Sequence, residues 1–276
     1  MRLVPADFEQ FIARHFGAEG RAWLDRLPER IERYCRDWQL ETECFLPGGL
    51  MSCCLAVRLP GGESAVLKLS GPWTPAALEA VALRHWNGGP APSVLRADHP
   101  GNALLLERIV PGSQFGGGAS REDVDSVARL IIWLHALALS EGHARRLPRL
   151  ADVVEQQIAT AEAEASARSQ SEGKELRPRL ERARRTAADL LEAMTGEECL
   201  LHGDLENRNI LRCDKRGLVA IDPLPCIGDP AYDAGYWLAS AVEPDHREAT
   251  ARVLAGYLGV DLDRVTLWGS VVALDC

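Results

Sequence analysis

Hydrophobic positions recur at intervals of three and four over residues 6–40: Phe8, Phe11, Ile12 and Phe16, then Trp23, Leu24, Leu27, Ile31 and Tyr34. That spacing predicts two short amphipathic helices. From about Leu40 the period changes. LETECFLPGG, LMSCCLAVRLPGG and ESAVLKLS read as three short strands separated by turns at Gly48-Gly49 and Gly61-Gly62, an antiparallel meander. Pro72 and Pro75 punctuate its exit, AALEAVALRHW (76–86) reads as a helix, and NALLLERIV (102–110) as a further strand ended by Pro111-Gly112. The remainder is mainly helical. REDVDSVARLIIWLHALAL (121–139) runs from an amphipathic to a buried helix, and residues 151–195 read as two surface helices with a Ser-Gly break near 168–173. LVAID (218–222) is strand-like, and helices follow to the end. The predicted class is α+β, with a small antiparallel-sheet lobe, a short hinge and a larger, mainly helical lobe. A ligand is expected in a cleft between two such lobes.

Composition narrows the function classes. Apolar residues make up 46% of the 276, enough for a sizeable core, and wholesale disorder is excluded. A formal net charge of -9 argues against a duplex-binding protein, which needs a basic face for the phosphates. The same acidity suits a cationic substrate, and it is equally the ordinary condition of soluble cytosolic proteins. The eight cysteines are scattered, with no CxxC pair and no metal-ligand spacing, so they read as reduced thiols in a cytoplasmic protein. The N-terminal MRLVPADFEQFIARHF carries acids and no apolar h-region, so it does not read as a signal peptide. The longest apolar stretch, LIIWLHALAL (130–139), falls far short of a membrane span.

The chemistry concentrates in LLHGDLENRNILR (200–212) and LVAIDPLPCIGDPAYD (218–233). Phosphoryl transfer needs a metal to bridge nucleotide phosphates and a carboxylate to orient or accept the proton of an attacking hydroxyl. Asp204 and Asn209, five residues on, supply a carboxylate and an amide oxygen from one loop. Asp222 ends an apolar strand 18 residues after Asp204 and adds a second hard oxygen, the donor type Mg²⁺ prefers. Spacing and intervening strand match the kinase pattern of catalytic Asp, metal-binding Asn and metal-binding Asp. Lys68, on the third predicted strand, and Glu79, in the following helix, fit the ion pair that fixes nucleotide phosphates, since a lysine in an apolar strand is costly unless paired. Gly48, Gly49 and Ser52 stand where a phosphate-covering loop would lie, though LPGGLMSC lacks a full GxGxxG. Glu107 to Ile109 fall where backbone groups of a lobe connector would pair with a purine edge.

Together these pieces resemble the aminoglycoside phosphotransferases, in the streptomycin 6-kinase and hydroxyurea phosphotransferase branch. The resemblance rests on DWQL, VLKL, LEAVALRHWNGG, ALLLERIVPG, LHGDLENRNIL and AIDPLPCIGDPAYD, which span most of residues 20–240. It implies a protein-kinase-like fold divided into a helical segment 1–40 packed on the small lobe, a nucleotide-binding lobe 41–106, a hinge 107–112 and a helical lobe 113–276. It implies ATP or GTP and Mg²⁺ as cofactors, Asp204 as catalytic residue, Asn209 and Asp222 as metal ligands, and Lys68 with Glu79 as the nucleotide-orienting pair. Asp233 would be a structural acid supporting the catalytic loop, with His202 ordering that loop and His135 a packed core histidine. Relatives often read HGDLHPGN, whereas this chain has Glu206 and Arg208 at the variable positions, beside the attacking hydroxyl. A cationic small-molecule acceptor such as streptomycin fits the family and the acidic balance, with Glu206 and acids from 229–245, Asp229 among them, as its expected contacts. The alternatives are a kinase for hydroxyurea or another metabolite, and a nucleotide-binding pseudokinase without turnover. No nucleic acid or membrane partner is expected.

Overall fold

A computed structural model describes residues 3–49, 51–74, 76–138, 141–167, 170–194 and 196–273. Leu50, Pro75, Leu139, Arg168 and Ser169 at the expected helix break, and Cys276 lie outside the described residues. The chain divides into two compact units, one of Met1–Gly88 with Pro92–Ile109 and a second of Gly89–Ala91 with Val110–Cys276.

The first unit opens with helices α1 (Ala6–His15) and α2 (Gly17–Trp38). The second helix is 22 residues long rather than short, and it ends where Gln39 turns into the left-handed region at φ 56°. A five-stranded sheet follows, built from β1 (Glu41–Phe45), β2 (Ser52–Arg58), β3 (Ser64–Ser70), β4 (Val94–Asp98) and β5 (Ala103–Glu107), with α3 (Ala76–Trp86) inserted after β3. The strand order is β1-β2-β3-β5-β4, with antiparallel neighbours throughout. Side chains alternate between faces along a strand. Ala65, Leu67 and Leu69 of β3 join Phe8, Ile12, Trp23, Leu27, Ile31 and Tyr34 in one buried cluster. Parity therefore turns Lys68 to the opposite face. Trp23 Nε1 donates to the Ser70 carbonyl at 3.2 Å, tying α2 to the end of β3.

The second unit contains β6 (Pro111–Gln114), α4 (Arg121–His135), the short α5 (Glu141–Ala144), α6 (Leu150–Ala167) and α7 (Gln170–Glu192). It continues with β7 (Cys199–Leu201), a 3-10 turn at Asn207–Asn209, β8 (Ile210–Cys213), β9 (Gly217–Ala220), β10 (Cys226–Gly228), α8 (Ala231–Ala241), α9 (Pro244–Leu258) and α10 (Leu262–Val272). The sheets are β6-β8-β9 and β10-β7. Pro111-Gly112, expected to end a strand, instead begins one. β6 is an edge strand, where the missing proline N–H leaves no ladder bond unmade. The apolar helix α4 ends at His135 rather than 139. Among the described residues no helix is long and apolar enough to cross a membrane, and the seven described cysteines are free thiols.

Candidate active site

The first unit contributes a buried ion pair. Lys68 lies on β3, registered between Cys54 and Leu104. Its Nζ donates to Glu79 Oε1 at 2.8 Å and Oε2 at 2.7 Å, both side chains being at most 4% exposed. Burial of two charges is tolerated only with such complete pairing. Gly48 and Gly49 of the expected glycine loop stand in the turn after β1. Gly48 adopts φ 108°, and a Cβ on Gly49 would meet the Ser52 carbonyl at 3.0 Å, so both glycines serve a tight turn. Ser52 corrects the sequence reading: it is 1% exposed, and its hydroxyl pairs with that of Ser70 at 3.0 Å inside the sheet. Glu107 departs from a simple connector as well. Its carboxylate accepts from the Ser93 amide at 3.1 Å, and its own N–H donates to the Ser93 carbonyl at 2.9 Å, which commits that donor. The side chain of Ile109 is buried.

In the second unit the loop between β7 and β8 carries HGDLENRN. Gly203 needs φ 80°, and an added Cβ would stand 2.0 Å from the Leu224 carbonyl, so only glycine fits beside Asp204. Asp233, at the start of α8, accepts from the His202 amide at 2.8 Å on Oδ2 and the Gly203 amide at 3.0 Å on Oδ1. His135 Nε2 reaches the same carboxylate at 2.9 Å. Burial alone would raise the Asp233 pKa. The His135 hydrogen bond, the neighbouring histidines and the loop amide outweigh it and hold the group below its ordinary value.

His202 is fully buried, and burial keeps its pKa low despite the neighbouring carboxylates. Its Nε2 lies 3.0 Å from the Ile221 carbonyl, and its Nδ1 accepts from the Asp204 amide at 3.4 Å, which assigns the ring proton to Nε2. One ring thus links the Asp204 loop to the residue before Asp222.

Asp204 is fixed at both oxygens. Tyr236 Oη donates to Oδ1 at 2.7 Å, and Asn209 Nδ2 donates to Oδ2 at 2.8 Å and to the Asp204 carbonyl at 2.9 Å. With both amide protons of Asn209 directed at Asp204, its Oδ1 remains as the donor atom for a cation. The Ile221 amide donates to the Asn209 carbonyl at 2.8 Å, so the β8–β9 ladder brings Asn209 beside Asp222. Asp222 adopts φ 57°, a left-handed conformation uncommon outside glycine and frequent at functional sites. An amide oxygen and a carboxylate are hard donors of the type that Mg²⁺ takes, so these two residues fit the expected metal in kind.

Glu206 is half-buried and ion-paired with Arg208. Burial, then the adjacent Asp204 charge, pushes its carboxyl up to about 7 against the pull of Arg208. Asp229 is a second correction. It is 2% exposed, pairs with Arg264, accepts from Trp268 Nε1 at 2.7 Å and caps Ala231 at 3.0 Å, which makes it a brace between α8 and α10 rather than an acceptor contact. Tyr236 and Trp237 were missed by the sequence reading. Trp237 Nε1 donates to Asn207 Oδ1 at 2.9 Å, and both residues follow Asp233 at helical spacing, the one signal that could have found them.

The chain is similar to known proteins in both sequence and fold. The family model described as aminoglycoside/hydroxyurea antibiotic resistance kinase matches residues 37–273. A hydroxyurea phosphotransferase of Kitasatospora aureofaciens is 31% identical over 268 residues, covering 96% of this chain and 76% of that protein. A streptomycin 6-kinase of Streptomyces glaucescens is 28% identical over 275 residues, covering 96% and 86%. Among solved structures, an aminoglycoside phosphotransferase in ternary complex with ADP and hygromycin B superposes with a TM-score of 0.61 at 15% identity, over 88% of each chain. The choline kinase LicA from Streptococcus pneumoniae gives 0.63 at 14%, over 90% and 89%. The chain belongs to the aminoglycoside/hydroxyurea antibiotic resistance kinase family, and is a phosphotransferase with an α+β, protein-kinase-like fold.

Proposed function

We propose that this protein transfers the γ-phosphoryl group of ATP or GTP to a hydroxyl of a small cationic acceptor, with streptomycin the first candidate. The observation that carries the reading is the Asp204 carboxylate, held at one oxygen by Tyr236 and at the other by Asn209. A carboxylate so fixed orients an attacking hydroxyl and takes its proton without having to reorganise first. Lys68, fixed by Glu79, would hold the nucleotide's α- and β-phosphates. Asn209 and Asp222 would hold Mg²⁺, which when bound neutralises charge on the phosphates. On this reading residues 41–106 form the nucleotide-binding region, 107–112 the connector, and 113–276 the part carrying the catalytic and metal-binding loops. Glu206, half-buried and two residues from Asp204, is the one remaining carboxylate of the sequence reading for an acceptor's cationic group.

The 31%-identical hydroxyurea phosphotransferase supports a second acceptor, a small neutral one. The test is Mg²⁺-dependent nucleotide consumption with streptomycin, other aminoglycosides and hydroxyurea, each beside Asp204→Ala and Lys68→Met. Turnover with at least one acceptor class is expected. Asp204→Ala should lower kcat by about 10²–10⁴-fold with nucleotide binding retained, whereas Lys68→Met should weaken nucleotide binding itself. Nucleotide binding with no turnover on any acceptor would favour a pseudokinase, and full activity in Asp204→Ala would remove that residue from the mechanism.

A further inference from the structure

Three residues on one face of α8 grip the loop that carries Asp204. Asp233 takes the amides of His202 and Gly203, Tyr236 donates to Asp204 Oδ1, and Trp237 donates to Asn207 Oδ1. They stand at i, i+3 and i+4, so a single helical stripe faces the whole segment 202–207. Asp233 and Trp237 act on the loop's backbone and on a neighbouring side chain. Tyr236 alone of the three touches the carboxylate on which the proposed chemistry depends.

We propose that Tyr236 is a positioning residue for phosphoryl transfer, its hydroxyl fixing the orientation of the Asp204 carboxylate toward the acceptor hydroxyl. The inference rests on the reading of Asp204 as the catalytic carboxylate. A carboxylate with one anchored oxygen can still rotate about the Cβ–Cγ bond. Asn209 Nδ2 anchors Oδ2 at 2.8 Å, and Tyr236 Oη anchors Oδ1 at 2.7 Å from another element of the same unit. Two donors from different directions set the carboxylate plane, and the Glu206 side chain also hydrogen-bonds to Asp204. Tyr236 is itself held rigidly. It is 9% exposed, its ring lies 6.0 Å from that of Tyr232, and its own helix fixes it relative to Asp233. Burial and the adjacent Asp204 charge raise its pKa, so the hydroxyl keeps its proton and remains a donor over the working range. A tyrosine that merely filled space would need no acceptor as polar as Asp204 Oδ1.

The experiment compares Tyr236→Phe, Asp204→Ala and the double variant with the native enzyme under saturating Mg²⁺-nucleotide and the acceptor found above. Tyr236→Phe should lower kcat by about 10–100-fold, because small misplacements of a reacting group cost on that order. Its KM for nucleotide and its melting temperature should stay near native values. In the Asp204→Ala background the same change should have no further effect, since the group it orients is gone. Should phenylalanine disturb folding, 4-aminophenylalanine at 236, which keeps a donor, should restore kcat where 4-fluorophenylalanine does not. A kcat for Tyr236→Phe within twofold of native, or an equal fold-loss with and without Asp204, would overturn the proposal. Full activity in Asp204→Ala would instead remove the reading beneath it, so the two failures are told apart.

Discussion

At the scale of single residues, Asp233 shows how little freedom the loop leaves. Both of its oxygens face backbone N–H groups, those of His202 and Gly203. An asparagine is nearly the same shape, yet its NH₂ would have to oppose one of those donors. Asp233→Asn should therefore destabilise the protein by about 1–3 kcal/mol, the cost of one buried donor left unpaired. The pH dependence follows from the direction of the shift. Asp233 is held below its ordinary pKa in the folded chain. Its contribution is therefore complete above the unfolded value, about pH 4, and is lost as pH falls through the lower folded value. Urea midpoints of native and Asp233→Asn protein should differ most at pH 6–7, and the gap should close on acidification below about pH 4. A gap that stays constant to pH 3 would mean that charge on Asp233 does not contribute.

At the scale of elements, α8 is a hub, and its packing against α10 depends on a glycine. A Cβ at Gly235 would meet the Gly269 amide nitrogen at 2.7 Å, Trp268 Cβ at 2.7 Å and the Val265 carbonyl at 2.9 Å. Those are backbone and near-backbone atoms with nowhere to move. Gly235→Ala should cost about 1–3 kcal/mol through overpacking, although alanine is the better helix former. Gly256 in α9 has nothing within 4 Å, so Gly256→Ala should instead stabilise by about 0.5–1 kcal/mol through helix propensity. Thermal melts moving in the same direction for both variants would contradict the close α8–α10 crossing. The regular elements were legible because periodicity is a local property: β1 to β3, α3 and the α6–α7 pair sit where alternation or helical spacing put them. The strand β4 was not, because SVLRAD is short and flanked by proline, and β6 was hidden behind a proline that its edge position excuses. Site residues divide in the same way. Asp204, Asn209 and Asp222 carry a motif and Lys68 a parity, whereas Ser70, the partner of Ser52, and Trp268, a partner of Asp229, lie 18 and 39 residues away and no local pattern announces them.

At the scale of the whole molecule, the net charge of -9 has two readings that binding data can separate. Excess acid can serve only to keep a protein soluble, or it can raise the local concentration of a cationic substrate. Long-range attraction between exposed charges is screened beyond about 8 Å at physiological ionic strength, while contacts inside a half-buried site are screened far less. If the field steers the acceptor, kcat/KM for a polycationic aminoglycoside should fall by about tenfold or more between roughly 10 mM and 500 mM monovalent salt. Hydroxyurea, being neutral, should show no such fall, and its curve removes any effect of salt on nucleotide or Mg²⁺. A decline confined to the cationic acceptor, and weakened in Glu206→Gln, would join the field of the molecule to the carboxylate beside Asp204. Parallel curves for the two acceptors would assign the acidity to solubility and leave recognition to short-range contacts. That second outcome would also weaken the case for a cationic acceptor, because net charge and Glu206 are the features of this chain that favour a cation over a neutral molecule.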